Sequence, residues 1–432
     1  MNMVKTLLVA FCRTILASVF WLSIRLNNSL TVRGTDYDRG TARTYLGMMH
    51  KRDIDPFILV PIVVLHRGWK ALVGDVRFAM RGDGFTTGFL ARIVSHPAWL
   101  TWLLRPLSVG PLLRWLGTYP TDGLLRPAEE WIREALQIAG DVQANAMLSP
   151  AFIQDVLHAT HLPLQQINDL PLSHLLQWRY HAALQRFYGP EMLLRSKRRQ
   201  IERHIVERIH TQINEIVAYL WQDGSIFGSP EGRLSPDGHL SSIHAGFHRI
   251  VRLSPSDLCV LPVVLIYDFM TRGRARIFVD FAPAIEHAPA LPQQVLDEQL
   301  HRAWLQHAHF TCTQLASGFL MERQRSSALQ FTLQDLAQAV HQQASTLTAA
   351  GRQVDPRLLR PAGAASRARS YLAYIERHGL VRRCSPENWC ITFDSLVIEV
   401  GPREVAYNDV PLLYAYNELQ DLLLTSSEGT KA

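Results

Sequence analysis

Tyr45-Leu46-Gly47-Met48-Met49-His50-Lys51-Arg52-Asp53-Ile54-Asp55-Pro56 opens as an apolar run of strand length and stops at a histidine, with an aspartate five residues on. A short apolar run that ends in polar residues reads as a buried strand. Phe57–Leu65 follows as an apolar helix or buried segment. His50 and Asp55 then fall at the carboxyl end of a strand, where open α/β sheets place their sites.

Outward from this stretch the same grammar repeats. Leu30–Arg33 is a short strand closed by Gly34, and Ser225–Phe227 is another after the turn at Asp223–Gly224. Cys259–Tyr267 is almost continuously apolar, as expected of a strand covered on both faces of a mostly parallel sheet. We therefore expect an α/β fold: a mostly parallel central sheet with surrounding helices, a membrane-associated N-terminal helix, a helical insertion and a helical, winged-helix-like C-terminal domain. The boundaries read as 1–29 for the membrane helix, 30–290 for the α/β domain with the insertion at about 130–208, and 291–432 for the C-terminal part. The proline-rich spacing over Ala282–Pro292 marks the last boundary, and a basic run, Lys197–Arg208, closes the insertion. Thr332–Ala349 and Ala368–His378 read as helices, and Asn388–Phe393 with Leu396–Val400 as a hairpin.

Length and composition agree with this organisation. The 432 residues suit two or three domains. With 47% hydrophobic and 19% charged residues, the chain has a large core and is not globally disordered. A formal charge of +6 suits an anionic partner, a lipid headgroup surface or a nucleic acid. Five scattered cysteines contain no C-x-x-C pair, so reduced thiols facing the cytoplasm are expected rather than a disulfide framework or a zinc site. The stretch from Val4 to Ile24 carries only Lys5 and Arg13 as charges. An Arg at mid-bilayer costs about 2.5–3.5 kcal/mol on insertion scales. A helix lying in the membrane interface, with Lys5, Arg13 and Arg25 reaching headgroups, is expected, on the cytoplasmic face, with a single spanning helix as the alternative. Trp99, Trp102 and Trp115, interleaved with Arg105 and Arg114, read either as a packed helix pair or as a belt at headgroup level.

A second stretch has chemical content. Gly228-Ser229-Pro230-Glu231-Gly232-Arg233-Leu234-Ser235-Pro236-Asp237-Gly238 follows a strand and offers backbone N–H groups and an arginine for a phosphate. The clusters His239, His244, His248 and His301, His307, His309 lack clear metal-ligand spacing, and neither a metal nor a bound cofactor is expected.

Taken in order, these stretches resemble the glycerolipid acyltransferase superfamily, the glycerol-3-phosphate, lysophosphatidate and lysophospholipid acyltransferases. The family's N-H-x-x-x-x-D motif is matched by His50 and Asp55, with Met49 in place of Asn. Its F-P-E-G-T-R-S motif is matched by Pro230, Glu231, Gly232 and Ser235, with Arg233 for Thr and Leu234 for Arg. Leu261-Pro262-Val263 matches the V-P-V-type strand, and Leu116–Gly123 looks like the apolar run of the second motif. Gly123 stands there where an Arg is expected, and Arg126 is the nearest replacement. The likeness covers roughly Leu30 to Ile285 without the insertion.

The resemblance implies transfer of a fatty acyl group from an acyl thioester, on CoA or a carrier protein, to a hydroxyl of glycerol-3-phosphate or a lysophospholipid. His50 would be the base and Asp55 its orienting partner. Pro230, Glu231, Gly232, Arg233 and Arg126 would hold the acceptor's polar head. Membrane lipids are then the expected partners, and nucleic acid is not. Two other readings differ in class: a catalytically inactive lipid-binding or assembly protein on the same fold, and a nucleic-acid-binding protein using the C-terminal helices and the basic Lys197–Arg208 run.

Overall fold

The computed structural model describes residues 3–40, 43–52, 54–68, 76–81, 85, 103–104, 107–121, 123–124, 126–160, 167, 169–184, 186–232, 234–393 and 410–428. The chain forms two compact units: Met1–Arg77 with Tyr219–Val400 and Glu404–Ala432, and Phe78–Ala218 with Gly401–Arg403. Short helical turns aside, the order begins with α1 (Met3–Asn27), β1 (Asn28–Arg33), β2 (Thr44–Met48), α2 (Asp55–Arg67), β3 (Val76–Arg81) and β4 (Thr118–Thr121). Next come β5 (Arg126–Pro127), α3 (Ala128–Ala139), α4 (Pro150–Thr160), β6 (Phe187–Tyr188) and α5 (Arg195–Trp221). Then follow β7 (Ser225–Gly228), α6 (Ala245–Leu253), β8 (Cys259–Asp268), β9 (Ala275–Phe281), α7 (Gln293–His307) and α8 (Cys312–Arg325). The chain closes with β10 (Gln330–Thr332), α9 (Leu333–Ala349), α10 (Pro361–Arg377), β11 (Val381–Arg383), β12 (Asn388–Ile391) and α11 (Pro411–Glu428).

In the first unit the sheet runs β1-β9-β8-β2-β7. Its pairs are parallel except β8 with β9, so the expected mostly parallel α/β sheet is present. All five residues of β2 and all ten of β8 are buried, which is why both read as unbroken apolar runs. Helix α2 is fixed at its far end by Arg67, whose guanidinium meets the Asp38 carboxylate at 2.7 Å and donates to the Ser225 hydroxyl at 2.9 Å. That tie to the start of β7 holds the other end of α2, with Asp55, at the top of β2.

Helix α1 packs on α2, with Phe20 and Phe57 ring centroids 5.2 Å apart. Its inward stripe is Val9, Ala10, Arg13, Ala17 and Ile24, while Leu8, Phe11, Ile15, Val19, Leu22 and Leu26 are exposed. The segment Leu7–Asn27 is long and apolar enough to cross a membrane. Arg13 does not reach outward as expected. It is 7% exposed, and burial against the unit's interior holds its guanidinium down at about 10, with Tyr219 opposing and Arg77 adding to the effect. The reason is spacing: at 3.6 residues per turn, position 13 falls on the stripe of Ala10, Ala17 and Ile24.

The C-terminal elements α8, β10, α9, α10, β11 and β12 form a winged-helix-like arrangement, with the small antiparallel sheet in the order β10-β12-β11. Thr332 caps α9 by accepting from the Asp335 N–H at 3.0 Å, while the Asp335 carboxylate accepts from the Thr332 N–H at 2.8 Å. A hairpin joins β11 to β12; the expected hairpin pairs Asn388–Phe393 with 396–400. The latter segment is outside the described residues. Cys384 and Cys390 are joined across this hairpin, against the expectation of thiols throughout.

The second unit contains the parallel pair β3–β4 and the antiparallel pair β5–β6. Its helices pack around a core that includes Trp131, whose indole N–H donates to the Tyr188 carbonyl at 2.9 Å. Of the three tryptophans singled out above, Trp99 and Trp102 lie outside the described residues, and Trp115 is half-buried in a short helix.

Candidate active site

Three strand ends in the first unit build the site. β2 is flanked by β7 and β8, with Gly47 opposite Gly228 on one side and Met48 opposite Val263 on the other. The Met49 N–H extends the ladder by one bond to the Val263 carbonyl, 3.0 Å, and the next residue is His50. β7 delivers the glycine-rich loop. β8 runs five residues beyond Val263, to Asp268, and so overhangs the end of β2.

Asp55 is the first residue of α2 and is fully buried. Its Oδ2 is 3.0 Å from His50 Nδ1 and also accepts the Lys51 and Arg52 backbone N–H groups, at 2.6 and 2.8 Å. Its Oδ1 accepts the Tyr267 hydroxyl from β8. With Nδ1 donating to the carboxylate, the neutral ring carries its lone pair on Nε2. The His50 side chain keeps 18% of its surface exposed.

The loop holds His50 by its backbone. The Glu231 carboxylate accepts the His50 N–H at 2.8 Å and the Ser241 N–H at 3.0 Å, and the Ser235 N–H donates to the His50 carbonyl at 3.3 Å. Burial pushes the Glu231 carboxyl above its ordinary range, opposed by the Lys51 charge and the two N–H bonds. Both its oxygens are thus engaged by backbone. Gly232, at φ 68°, closes the turn through a bond from its N–H to the Ser229 carbonyl, 3.1 Å. Pro230 is buried, its ring 3.2 Å from where a Cβ on Gly47 would stand, so a side chain at that point in β2 would press on the loop.

Arg233 lies outside the described residues. Arg126 belongs to the second unit, where it is buried, faces Glu134 at 3.7 Å and Glu130 at 3.9 Å, and donates to the Gly123 carbonyl at 3.0 Å.

Several residues around His50 carried no signal in the sequence. Lys51 is buried, with Nζ 3.3 Å from Glu418 of α11 and 3.2 Å from the Gly238 carbonyl. Asp421, also on α11, accepts from the Leu240 N–H at 2.6 Å and stands 2.8 Å from His239 Nδ1. On the far face of β8, Asp268 accepts from Thr313 and pairs with Arg367 of α10. Such contacts link positions far apart in the chain, and periodicity cannot reveal them. Among the described residues no group of three or more His, Cys, Asp or Glu is arranged to hold a metal ion.

Chemically, the arrangement is an imidazole with one nitrogen fixed by a buried carboxylate, its backbone clamped from two sides and its ring partly open. It can accept a proton at Nε2 and return it. No family model matches the chain, and no curated protein does. Among solved structures the chain is similar to the crystal structure of the 1-acyl-sn-glycerophosphate (LPA) acyltransferase, PlsC, from Thermotoga maritima. The identity is 9% and the TM-score 0.32, over 67% of this chain and 74% of that one. A likeness that distant leaves the chemistry to be judged from the chain's own residues.

Proposed function

We propose that the chain is a membrane-associated acyltransferase that moves a fatty acyl group from a CoA or carrier-protein thioester to a hydroxyl of glycerol-3-phosphate or a lysophospholipid. The observation that carries this is the His50–Asp55 pair, 3.0 Å apart at the carboxyl end of a buried parallel strand. It stands beside the glycine-rich loop whose residues give the family resemblance.

The step is a direct displacement. His50 Nε2 takes the proton of the acceptor hydroxyl as that oxygen attacks the thioester carbonyl carbon, forming the C–O bond. Asp55 stabilises the imidazolium. When the tetrahedral centre collapses, the C–S bond breaks and the imidazolium returns the proton to the leaving thiolate, so the enzyme ends as it began. Glu231 acts in this scheme by holding the His50 backbone. The acceptor's phosphate would fall to Arg233, on the sequence resemblance alone.

The exposed apolar face of α1 supports membrane attachment in the interface plane. The nucleic-acid reading is less favoured, because α10, the helix that would read a groove, is engaged through Arg367 and Ser370. Ser370 bonds Thr271 at 2.6 Å and the Arg272 N–H at 2.9 Å. The test is incubation of the purified protein with labelled acyl-CoA and acyl-carrier protein against glycerol-3-phosphate, lysophosphatidate and neutral lipid alcohols. A labelled ester on a phosphorylated acceptor supports the proposal, and hydrolysis or no turnover with every pair contradicts it.

A further inference from the structure

We infer that Tyr267 is a positioning residue of the transfer reaction: its hydroxyl sets the charge and orientation of Asp55 and, through it, the basicity of His50. The inference rests on the function proposed above and adds a third member to the His50–Asp55 pair.

The placement follows from register. β2 ends at Met48 opposite Val263, while β8 continues to Asp268. Side chains alternate along a strand, so Val263, Leu265 and Tyr267 share one face and Asp268 takes the other. Tyr267 is therefore carried past the end of β2 on the face where α2 begins, and its hydroxyl donates to Asp55 Oδ1. Asp268 turns instead to Thr313 and Arg367. Tyr267 is buried, and the Arg52 guanidinium lies over its ring, 5.3 Å from the centroid.

The two oxygens of Asp55 are thus divided. Oδ2 serves the imidazole and the backbone N–H groups of Lys51 and Arg52, and Oδ1 serves the phenol. A donor on Oδ1 draws negative charge away from Oδ2, which weakens the pull on the imidazolium and keeps His50 more available as a neutral base. It also fixes the plane of the carboxylate, and with it the plane of the ring. Among the described residues, the other titratable groups around this centre include Glu231 and Lys51 beside His50, Arg52 over Tyr267, Tyr374 near Arg52, Glu418 against Lys51, and Tyr414, which neighbours both Asp55 and Glu231.

The experiment uses the full chain with Tyr267→Phe, which keeps the buried ring and removes the one atom in question. The rate at which diethyl pyrocarbonate modifies His50, followed by peptide mass spectrometry from about pH 5 to about pH 8, reports the His50 pKa without any substrate. We expect the midpoint to rise by about half a unit or more in Tyr267→Phe. In parallel, kcat should fall about tenfold with KM little changed, and the fall should shrink to less than about twofold in an Asp55→Asn background, as coupled groups require. An unchanged midpoint, or an equal loss of kcat in both backgrounds, overturns the inference. Full activity in His50→Ala would overturn the proposed function instead, and the two failures are told apart because the midpoint is read without turnover.

Discussion

Lys51 and Glu418 form an ion pair of 3.3 Å with side chains only 4% and 6% exposed, and it joins the residue after the proposed base to the last helix of the chain. The Glu418 carboxylate also accepts from Gln314 Nε2 at 2.7 Å, while Lys51 donates to the Gly238 carbonyl. Removing one partner of a buried pair leaves the other charge without compensation, at about 3–5 kcal/mol. Glu418→Gln should therefore lose stability in urea unfolding by an amount of that order. Lys51→Met with Glu418→Leu should recover much of it. A double variant no more stable than the single one would show that the pair is not the unit.

Gly238 provides an independent view of the same contact. It has φ 96°, and a Cβ there would fall 2.2 Å from the Tyr414 carbonyl oxygen, whereas Gly140, at φ 76°, has open space around it. Gly140→Ala should cost only the strain of its backbone conformation, φ 76° and ψ −173°, about 1–3 kcal/mol. Gly238→Ala adds a clash with backbone and should lower the melting temperature several times further. Equal shifts in the two variants would mean that α11 does not close over the loop as described.

Glu231 gives a pH prediction. Burial raises its folded pKa above the unfolded value near 4.3, so its favourable contribution is complete below that value and is lost as pH rises through the folded pKa. Gln cannot titrate, and its amide offers one acceptor oxygen to the two N–H groups of His50 and Ser241. Glu231→Gln should be less stable than wild type by about 1–3 kcal/mol. That gap should be widest in acid and narrow towards neutrality, as read from denaturant titrations between about pH 4 and about pH 7. A gap that widens with rising pH would contradict the assignment.

Much of the fold and part of the site was legible in the sequence because the signals are local. Tyr45–Met49 and Cys259–Tyr267 are continuous apolar runs since both strands are covered on each face, and His50 and Asp55 meet because one short turn joins a strand to a helix. Tyr267, Glu418 and Asp421 were silent because each acts across more than 180 residues of chain. Arg13 was misjudged for another reason: the cost of a charge in the bilayer was weighed without helical phase, and the phase puts this residue on the buried stripe.

The outer face of α1 carries the membrane prediction. Leu8, Phe11, Ile15 and Leu22 are exposed large apolar residues along one side of the helix. Burying each in the acyl boundary is worth about 1.5–3 kcal/mol. Replacing Phe11 and Ile15 by Gln should weaken binding to phosphatidylglycerol-containing vesicles at least a hundredfold in flotation assays, with the melting temperature unchanged. Undiminished binding would exclude this face as the attachment surface.

The most direct test of the account is the rate of acyl transfer in His50→Ala, measured with labelled acyl thioester and the best acceptor. Loss of a general base typically costs about 10²–10⁴-fold. kcat should fall by that amount in His50→Ala and severely in Asp55→Asn, with melting temperature and vesicle binding of the His50 variant near wild type. Transfer by His50→Ala within a few-fold of wild type would contradict it.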